Sequence, residues 1–252
     1  MRKMNDEQRY LFDLQGYLVL KNVIPQQTIQ QINEVMDHLE KQSPEQLPVG
    51  VSHGKTRTEK ELYLSNIVEA DPIFHQFIDF EPILPIIHET SLGLYRLNHC
   101  YGIYRWGSGF TYIHMHNRPM HPKATYHCQN GEILSLTTKV VYPMRNHNVE
   151  DGCFAVIPGS HKSNFLRPYS HHPEANPPLV AVDAQPGDAV VFTEALSHGS
   201  MVNTSGRNRR TIYFCYSVGY MPDWKKFGLT FSPNFADKLS PRQREVIRLK
   251  DA

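Results

Sequence analysis

The hydrophobic pattern changes character part way along the chain. In the first third, apolar residues recur at helical spacing, which predicts helices at 5–14 and 25–41, the second with Pro25 in its first turn. The apolar run between them predicts a short strand at 16–22, and 72–90 predicts further helix interrupted by prolines. Residues 42–60 are rich in Ser, Pro, Gly and charge, so we predict an exposed loop and a candidate active-site lid.

From residue 92 onward, short β-rich runs alternate with turn signals such as Asn130-Gly131 and Ser205-Gly206. Many short strands without helices between them favour a sandwich or jelly roll over a parallel α/β sheet. A chain of 252 residues can form this as one domain. The predicted strands are 92–105, 111–116, 132–144, 154–157, 179–182, 189–193 and 210–216, and a helix is predicted at 240–250.

The pattern therefore predicts a single domain over 1–252 that is mainly β. It consists of a mainly helical N-terminal part at 1–90, a β core at 91–220, and a C-terminal tail with a helix at 221–252. The formal net charge is +1, which indicates neither a nucleic-acid footprint nor a membrane-surface patch, so the expected partner is a small molecule. No apolar window approaches a membrane span and no secretory leader pattern is seen, so the expected location is the cytoplasm.

Histidine is the unusual residue type, with 14 in the chain. His114 and His116 lie two apart on a predicted strand, so both imidazoles would point to the same face and could chelate a metal. An HxH pair alone does not identify a metal site, because alternating polar residues also mark the solvent-facing side of an ordinary strand. The four cysteines form no CxxC pair, which fits reduced thiols better than a zinc site or a disulfide framework.

Two further residues extend the candidate site. His198 follows a tight turn and an apolar strand and precedes Gly199, which places its ring at the mouth of a barrel. Arg209 begins the next apolar strand, where a guanidinium is costly unless it meets an anion such as a carboxylate. Taken singly, His198 could be a loop histidine and Arg209 could form a structural salt bridge.

Together with the segment 151–162, DGCFAVIPGSHK, these elements resemble the phytanoyl-CoA dioxygenase (PhyH-like) family of Fe(II)/2-oxoglutarate-dependent oxygenases. The resemblance extends over nearly the whole chain and implies a double-stranded β-helix core of the jelly-roll, cupin-like type. It implies that His198 is the distal iron ligand, that Arg209 binds the distal carboxylate of 2-oxoglutarate, and that Ser200 is an auxiliary hydrogen-bond donor to it. His161 is implied to be a turn residue and not a ligand.

The resemblance also implies the reaction. Fe(II), 2-oxoglutarate and O₂ would oxidise a small-molecule substrate, most simply by hydroxylation, with release of succinate and CO₂. Desaturation, cyclisation and halogenation would use similar metal ligands. No catalytic residue beyond the metal centre is implied.

The chain departs from the family at the proximal motif, where the family has His-x-Asp and this chain has His114-Met115-His116. One interpretation is a three-histidine centre of His114, His116 and His198. A second leaves His116 withdrawn and a coordination position open, as in the related halogenases. A third shifts the register, so that His127 supplies the ligand.

Other residues are candidates for the substrate pocket: Trp106, Tyr112, Tyr126 and Glu194. Glu194 is also a carboxylate that could approach the metal, although its place in the family favours a substrate-facing or structural role. Two alternative functions remain at the sequence level. One is a catalytically altered barrel that binds a ligand or partner, and the other is a three-histidine oxygenase that does not use 2-oxoglutarate, for which Arg209 would have no purpose.

Overall fold

The computed structural model describes residues 3–115, 124–223 and 229–248. Helix α1 (Asp6–Gln15) begins at Asn5, whose side chain accepts a hydrogen bond from the backbone N–H of Gln8, and ends at Gly16 in the left-handed region. Helix α2 (Gln26–Lys41) begins after Pro25 and buries the apolar stripe that predicted it. Both predicted helices are confirmed.

Among the described residues, the remaining regular structure consists of twelve strands, two shorter α-helices and short 3₁₀ helices. The predicted helical stretch 72–90 is a 3₁₀ helix (Pro72–Phe77) followed by α3 (Leu84–Thr90), and α4 (Pro241–Ile247) confirms the predicted terminal helix. The strands are β1 (Tyr17–Leu20), β2 (Ser52–Arg57), β3 (Glu61–Ser65), β4 (Tyr95–Arg105), β5 (Tyr126–Gln129), β6 (Glu132–Ser135), β7 (Thr137–Pro143), β8 (Phe154–Val156), β9 (Val180–Ala181), β10 (Ala189–Thr193), β11 (His198–Ser200) and β12 (Arg209–Val218).

Ten of the twelve described strands form two sheets that share an apolar core. A seven-stranded antiparallel sheet has the order β1-β10-β7-β12-β4-β3-β2, and a three-stranded sheet has the order β11-β8-β9. Val141 and Phe192 of the large sheet pack in one buried cluster with Phe154 and Val156 of the small sheet. This is the predicted jelly-roll, cupin-like core, and β5 and β6 form a separate hairpin.

Strand alternation gives the large sheet two different faces. Ile212 and Phe214 of β12 pack in the same buried cluster as the apolar stripe of α2, whereas Tyr213 between them packs with the small sheet. Arg210 belongs to the helix-facing side and forms ion pairs with Asp37 and Glu40 of α2. Arg209 therefore points to the opposite side, into the space between the two sheets.

Two sequence expectations about extended segments were wrong. The predicted loop at 42–60 contains β2, which pairs with β3 and forms the edge of the large sheet. Its sequence, SHGKTR, has no apolar alternation, because an edge strand need not bury one face. Within the predicted strand at 111–116, the described residues 111–115 form only an isolated bridge between His114 and His198, and Met115 has a φ of 59°. In the described parts of the chain, no helix has the length and apolar content needed to cross a membrane.

Candidate metal centre

His114 and His198 face each other between the two sheets. Their backbones exchange two hydrogen bonds of 3.0 Å, and their ring centroids lie 4.3 Å apart. Nδ1 of His114 donates to the carbonyl of Tyr112 at 2.8 Å, and Nδ1 of His198 donates to the carbonyl of Leu196 at 2.7 Å. Because a carbonyl can only accept, each Nδ1 carries the proton and each Nε2 is free to bind a metal.

The surroundings keep both rings neutral. Burial lowers the pKa of His114. Burial, together with the neighbouring His114 and the charge of Lys139, lowers the pKa of His198 well below its ordinary value. A neutral imidazole is the form that coordinates a metal.

Glu194 brings a carboxylate to the same point. One ligand atom from each of His114, Glu194 and His198 lies within 4.8 Å of the others. Two ligands with metal bonds of about 2 Å lie at most roughly 4 Å apart, so a small side-chain movement would bring these atoms to a common ion. Glu194 Oε2 is buried and has no hydrogen-bond partner among the described residues. The donor set and this unpartnered oxygen fit a divalent metal ion.

A cavity of about 350 Å³ adjoins the three residues. Lys139 lies in its wall and forms an ion pair with Glu194, with Nζ 2.9 Å from Oε1 and both side chains buried. Stacked tyrosines form another part of the wall, with 4.7 Å between the ring centroids of Tyr63 and Tyr101 and again between those of Tyr101 and Tyr213. The cavity therefore combines a charged side near the metal ligands with an aromatic side.

Arg105 lies at another part of this cavity wall, with Arg209 beside it on the next strand. Arg105 of β4 pairs directly with Arg209 of β12 across the sheet, so the two side chains share the inner face. Arg105 lines the cavity, forms an ion pair with Glu61, and donates to Ser200 Oγ at 3.3 Å. Ser200 Oγ also accepts from the backbone N–H of Thr111 at 2.8 Å.

Arg209 has no acidic partner among the described residues. Its Nη1 donates to the carbonyl of Gly152, but Nε and Nη2 are buried without a hydrogen-bond partner. Burial and the nearby charge of Arg105 lower the pKa of Arg209 to about 10. Two unpartnered donors on a buried cation are unfavourable, so this position suits an anionic ligand that accepts from both.

Gly199 sets the position of the His114 segment. A Cβ at residue 199 would lie 2.7 Å from the carbonyl oxygen of Thr111 and 3.0 Å from that of Tyr112. We expect Gly199→Ala to push this backbone away, at a cost of about 1–3 kcal/mol in stability. The displaced His114 should weaken Co(II) binding, which spectroscopic titration would measure. Unchanged affinity in a folded variant would show that the close approach does not position the ligand.

The other histidines considered as ligands have different outcomes. His116 lies outside the described residues, and the alternation that placed it beside His114 does not hold at Met115, which is left-handed. His127 is exposed on β5 and does not join the metal-binding group. His161 is buried in the turn after β8, as the resemblance implied, and its Nε2 donates to the carbonyl of Asp13 at 3.0 Å.

Three of the four predicted pocket residues lie away from the cavity wall. Tyr126 lies on β5 in the separate hairpin, where it packs against His161 and donates its hydroxyl hydrogen to Asp13. Tyr112 is 61% exposed, and Trp106 packs against the core that contains the helices. Glu194 alone of the four lines the cavity.

An arginine and a lysine of the cavity wall, Arg105 and Lys139, were missed by the sequence reasoning. Lys139 is the lone charged residue of β7, and a charged residue within a buried strand is itself a signal of a site, whereas Arg105 ends a strand that also contains Arg96 and His99. Lys139 stands between Thr138 and Val140 in a strand that is buried throughout. The strand pattern could have identified Lys139, but it could not have identified Arg105 or the partners of either residue on other strands.

Comparison with known proteins gives consistent matches. The family model described as phytanoyl-CoA dioxygenase (PhyH) matches residues 12–211. Dioxygenase andF of Emericella variicolor is 28% identical over 204 residues, which cover 77% of this chain and 67% of that protein. A probable phytanoyl-CoA dioxygenase of Caenorhabditis elegans is 23% identical over 242 residues, which cover 85% and 75%.

Among solved structures, HygX from Streptomyces hygroscopicus, with nickel and 2-oxoglutarate bound, superposes with a TM-score of 0.74. The two proteins are 22% identical, and the match covers 88% of this chain and 90% of HygX. This likeness shows a shared fold.

Proposed function

Because this chain belongs to the phytanoyl-CoA dioxygenase (PhyH) family of non-haem iron, 2-oxoglutarate-dependent dioxygenases, we propose that it oxidises a small molecule at the centre formed by His114 and His198. Hydroxylation, with release of succinate and CO₂, is the simplest outcome. Iron and 2-oxoglutarate, when bound, supply the activation of O₂. The chain's own residues bind, orient and enclose the reactants.

The histidines hold the metal. Their Nδ1 atoms are fixed by carbonyl acceptors two residues earlier in the chain, so the rings are oriented before the metal binds. Phe192 packs against His198 with ring centroids 4.7 Å apart, and the ring centroid of Phe154 lies 5.9 Å from that of His198. These rings exclude water from one side of the centre.

Arg209 would bind the distal carboxylate of 2-oxoglutarate. This role is supported by its two unpartnered buried donors, which is the single observation that carries the proposal. Arg105 adds a second positive charge on the neighbouring strand, and Ser200 lies within hydrogen-bond reach of Arg105. A metal centre that works without 2-oxoglutarate would not need an unpaired cation here.

The proposal is tested with the wild-type protein under anaerobic conditions. Addition of Fe(II) and 2-oxoglutarate should produce a metal-to-ligand charge-transfer absorption band, and admission of air should produce succinate. O₂ consumption without succinate would instead favour the oxygenase that does not use 2-oxoglutarate. Absence of both the band and succinate would favour a ligand-binding protein without catalysis.

The substrate is proposed only as a small molecule with an apolar or aromatic face. The stacked tyrosines support this class, because ring faces bind flat apolar surfaces well. HygX, which shares the fold, has been solved with hygromycin B bound together with nickel and 2-oxoglutarate.

A further inference from the structure

The chain has no carboxylate at residue 116, where its family has an aspartate, yet a non-haem iron centre commonly uses two histidines and one carboxylate. The described part of the chain offers one other carboxylate at the right place. Glu194 lies one residue beyond β10, and its backbone N–H donates to the carbonyl of Thr137 at 2.9 Å. Glu194 and Phe192 are two residues apart, and both side chains line the cavity.

We propose that Glu194 supplies the carboxylate ligand through Oε2 and that Lys139 is a positioning residue that holds Oε1. The centre is then His114, Glu194 and His198, with the acidic ligand taken from the strand that precedes the distal histidine. This inference rests on the proposed function, because it names the third protein ligand of the same metal.

The different surroundings of the two carboxylate oxygens of Glu194 support the proposal. Oε1 accepts from Lys139 at 2.9 Å, whereas Oε2 is buried with no hydrogen-bond partner among the described residues. A buried acceptor left unpartnered costs about 1–3 kcal/mol. Oε2 is also the oxygen that Lys139 leaves available, and the carboxylate groups with the two histidines. A divalent cation would satisfy it.

Lys139 and Glu194 form a buried ion pair, with Nζ 2.9 Å from Oε1. The ammonium group therefore fixes one oxygen and limits the rotation of the carboxylate, which is how partners of metal ligands act in general. A purely structural salt bridge would have the same Nζ–Oε1 contact, so the two possibilities differ only in metal binding.

The test is an anaerobic Co(II) titration of the full chain, followed by visible absorption, with the unfolding temperature of each metal-free variant measured alongside. Glu194→Gln keeps an oxygen for Lys139 and removes the charge. We expect it to weaken Co(II) affinity by more than about 100-fold, since loss of a partner that only supports a ligand already costs about 10- to 100-fold. Its residual absorption should also change shape.

Lys139→Met should weaken Co(II) binding by about 10-fold while it keeps the wild-type band shape, because the ligand set is intact. His116→Ala should keep both the affinity and the band shape. If Glu194→Gln does not fold, the double variant Glu194→Gln/Lys139→Met replaces it. That variant leaves neither charge buried alone, which is often tolerated.

Wild-type Co(II) affinity in folded Glu194→Gln would overturn the proposal, whatever its effect on the unfolding temperature. His198→Ala distinguishes this failure from failure of the proposed function. If His198→Ala loses Co(II) while Glu194→Gln keeps it, the centre stands with another third ligand, and loss of Co(II) in His116→Ala would identify that ligand. If His198→Ala also binds normally, the centre itself is wrong.

Discussion

Arg209→Met is expected to weaken the binding of 2-oxoglutarate by about 100-fold or more and to stabilise the metal-free protein at the same time. Loss of one partner from a buried charge pair costs about 2–5 kcal/mol, and here this cost reduces the binding free energy of 2-oxoglutarate. The metal-free protein has no carboxylate partner for Arg209 among its described residues, so there the substitution removes two unpartnered donors. We expect a gain of about 1–3 kcal/mol in the free energy of unfolding.

Calorimetric titration of 2-oxoglutarate into the Co(II) protein would measure the first effect, and urea denaturation the second. Arg210→Met is the matched control, because Arg210 is the next residue in β12 and faces the other side of the sheet. It forms ion pairs with Asp37 at 2.6 Å and Glu40 at 2.5 Å. Its loss should destabilise the fold by about 2 kcal/mol, since both acids are partly exposed, and leave the affinity for 2-oxoglutarate unchanged.

The opposite signs make this comparison informative. A structural arginine at residue 209 would behave as Arg210 does, with lower stability and unaltered affinity. If Arg209 instead binds an anionic ligand, its replacement should raise the stability of the metal-free protein and lower the affinity for 2-oxoglutarate. A fall in both quantities in Arg209→Met would mean that the hydrogen bond to Gly152 outweighs the two unpartnered donors, and the stability part of the prediction would fail.

The inner position of Arg209 could be predicted from the sequence because it depends on a local rule. Alternation along β12 assigns Arg209 and Tyr213 to one face and Arg210 and Phe214 to the other, and the structure agrees. The helical stripe of α2 was predictable for the same reason. In both cases the periodicity lies within a single element.

The partners of the site residues were not predictable in this way. Lys139 and Glu194 are 55 residues apart in sequence, and they meet because β7 and β10 are neighbours in the large sheet. Arg105 opposes Arg209 through the register between β4 and β12. Such pairings are set by the packing of the whole fold, so one sequence shows that a charged residue faces the core but not which residue it meets.

The rule of alternation does not apply at Met115, where the backbone leaves the extended conformation, and His116 itself lies outside the described residues. The prediction that His114 and His116 share a face required an extended residue between them, but Met115 has a φ of 59°. A non-glycine residue in the left-handed region is uncommon, and the sequence His-Met-His does not predict one. The segment around Met115 is held by the close approach of Gly199 and by the backbone hydrogen bonds between His114 and His198. His198 and Gly199 are distant from this segment in sequence.

Two sequence-level alternatives for the proximal histidine lead to the final prediction. We expect His114→Ala to reduce Co(II) affinity by more than about 100-fold, because it removes a ligand and not merely a ligand's partner. His127→Ala is the control, since His127 was the alternative ligand and is exposed on the β5–β6 hairpin. It should bind Co(II) with wild-type affinity and with the same absorption spectrum.

The two substitutions also differ in their expected effect on the fold. His114 is held by its bond to Tyr112 and by packing against His198, whereas His127 is exposed. A lower unfolding temperature in metal-free His114→Ala would therefore be unsurprising, so the decisive quantity is Co(II) affinity at a temperature where both variants are folded. Loss of binding in His127→Ala with retention in His114→Ala would reverse the assignment. It would mean that the hairpin moves to the centre when metal binds, because His127 can reach His198 only if β5 leaves its present position.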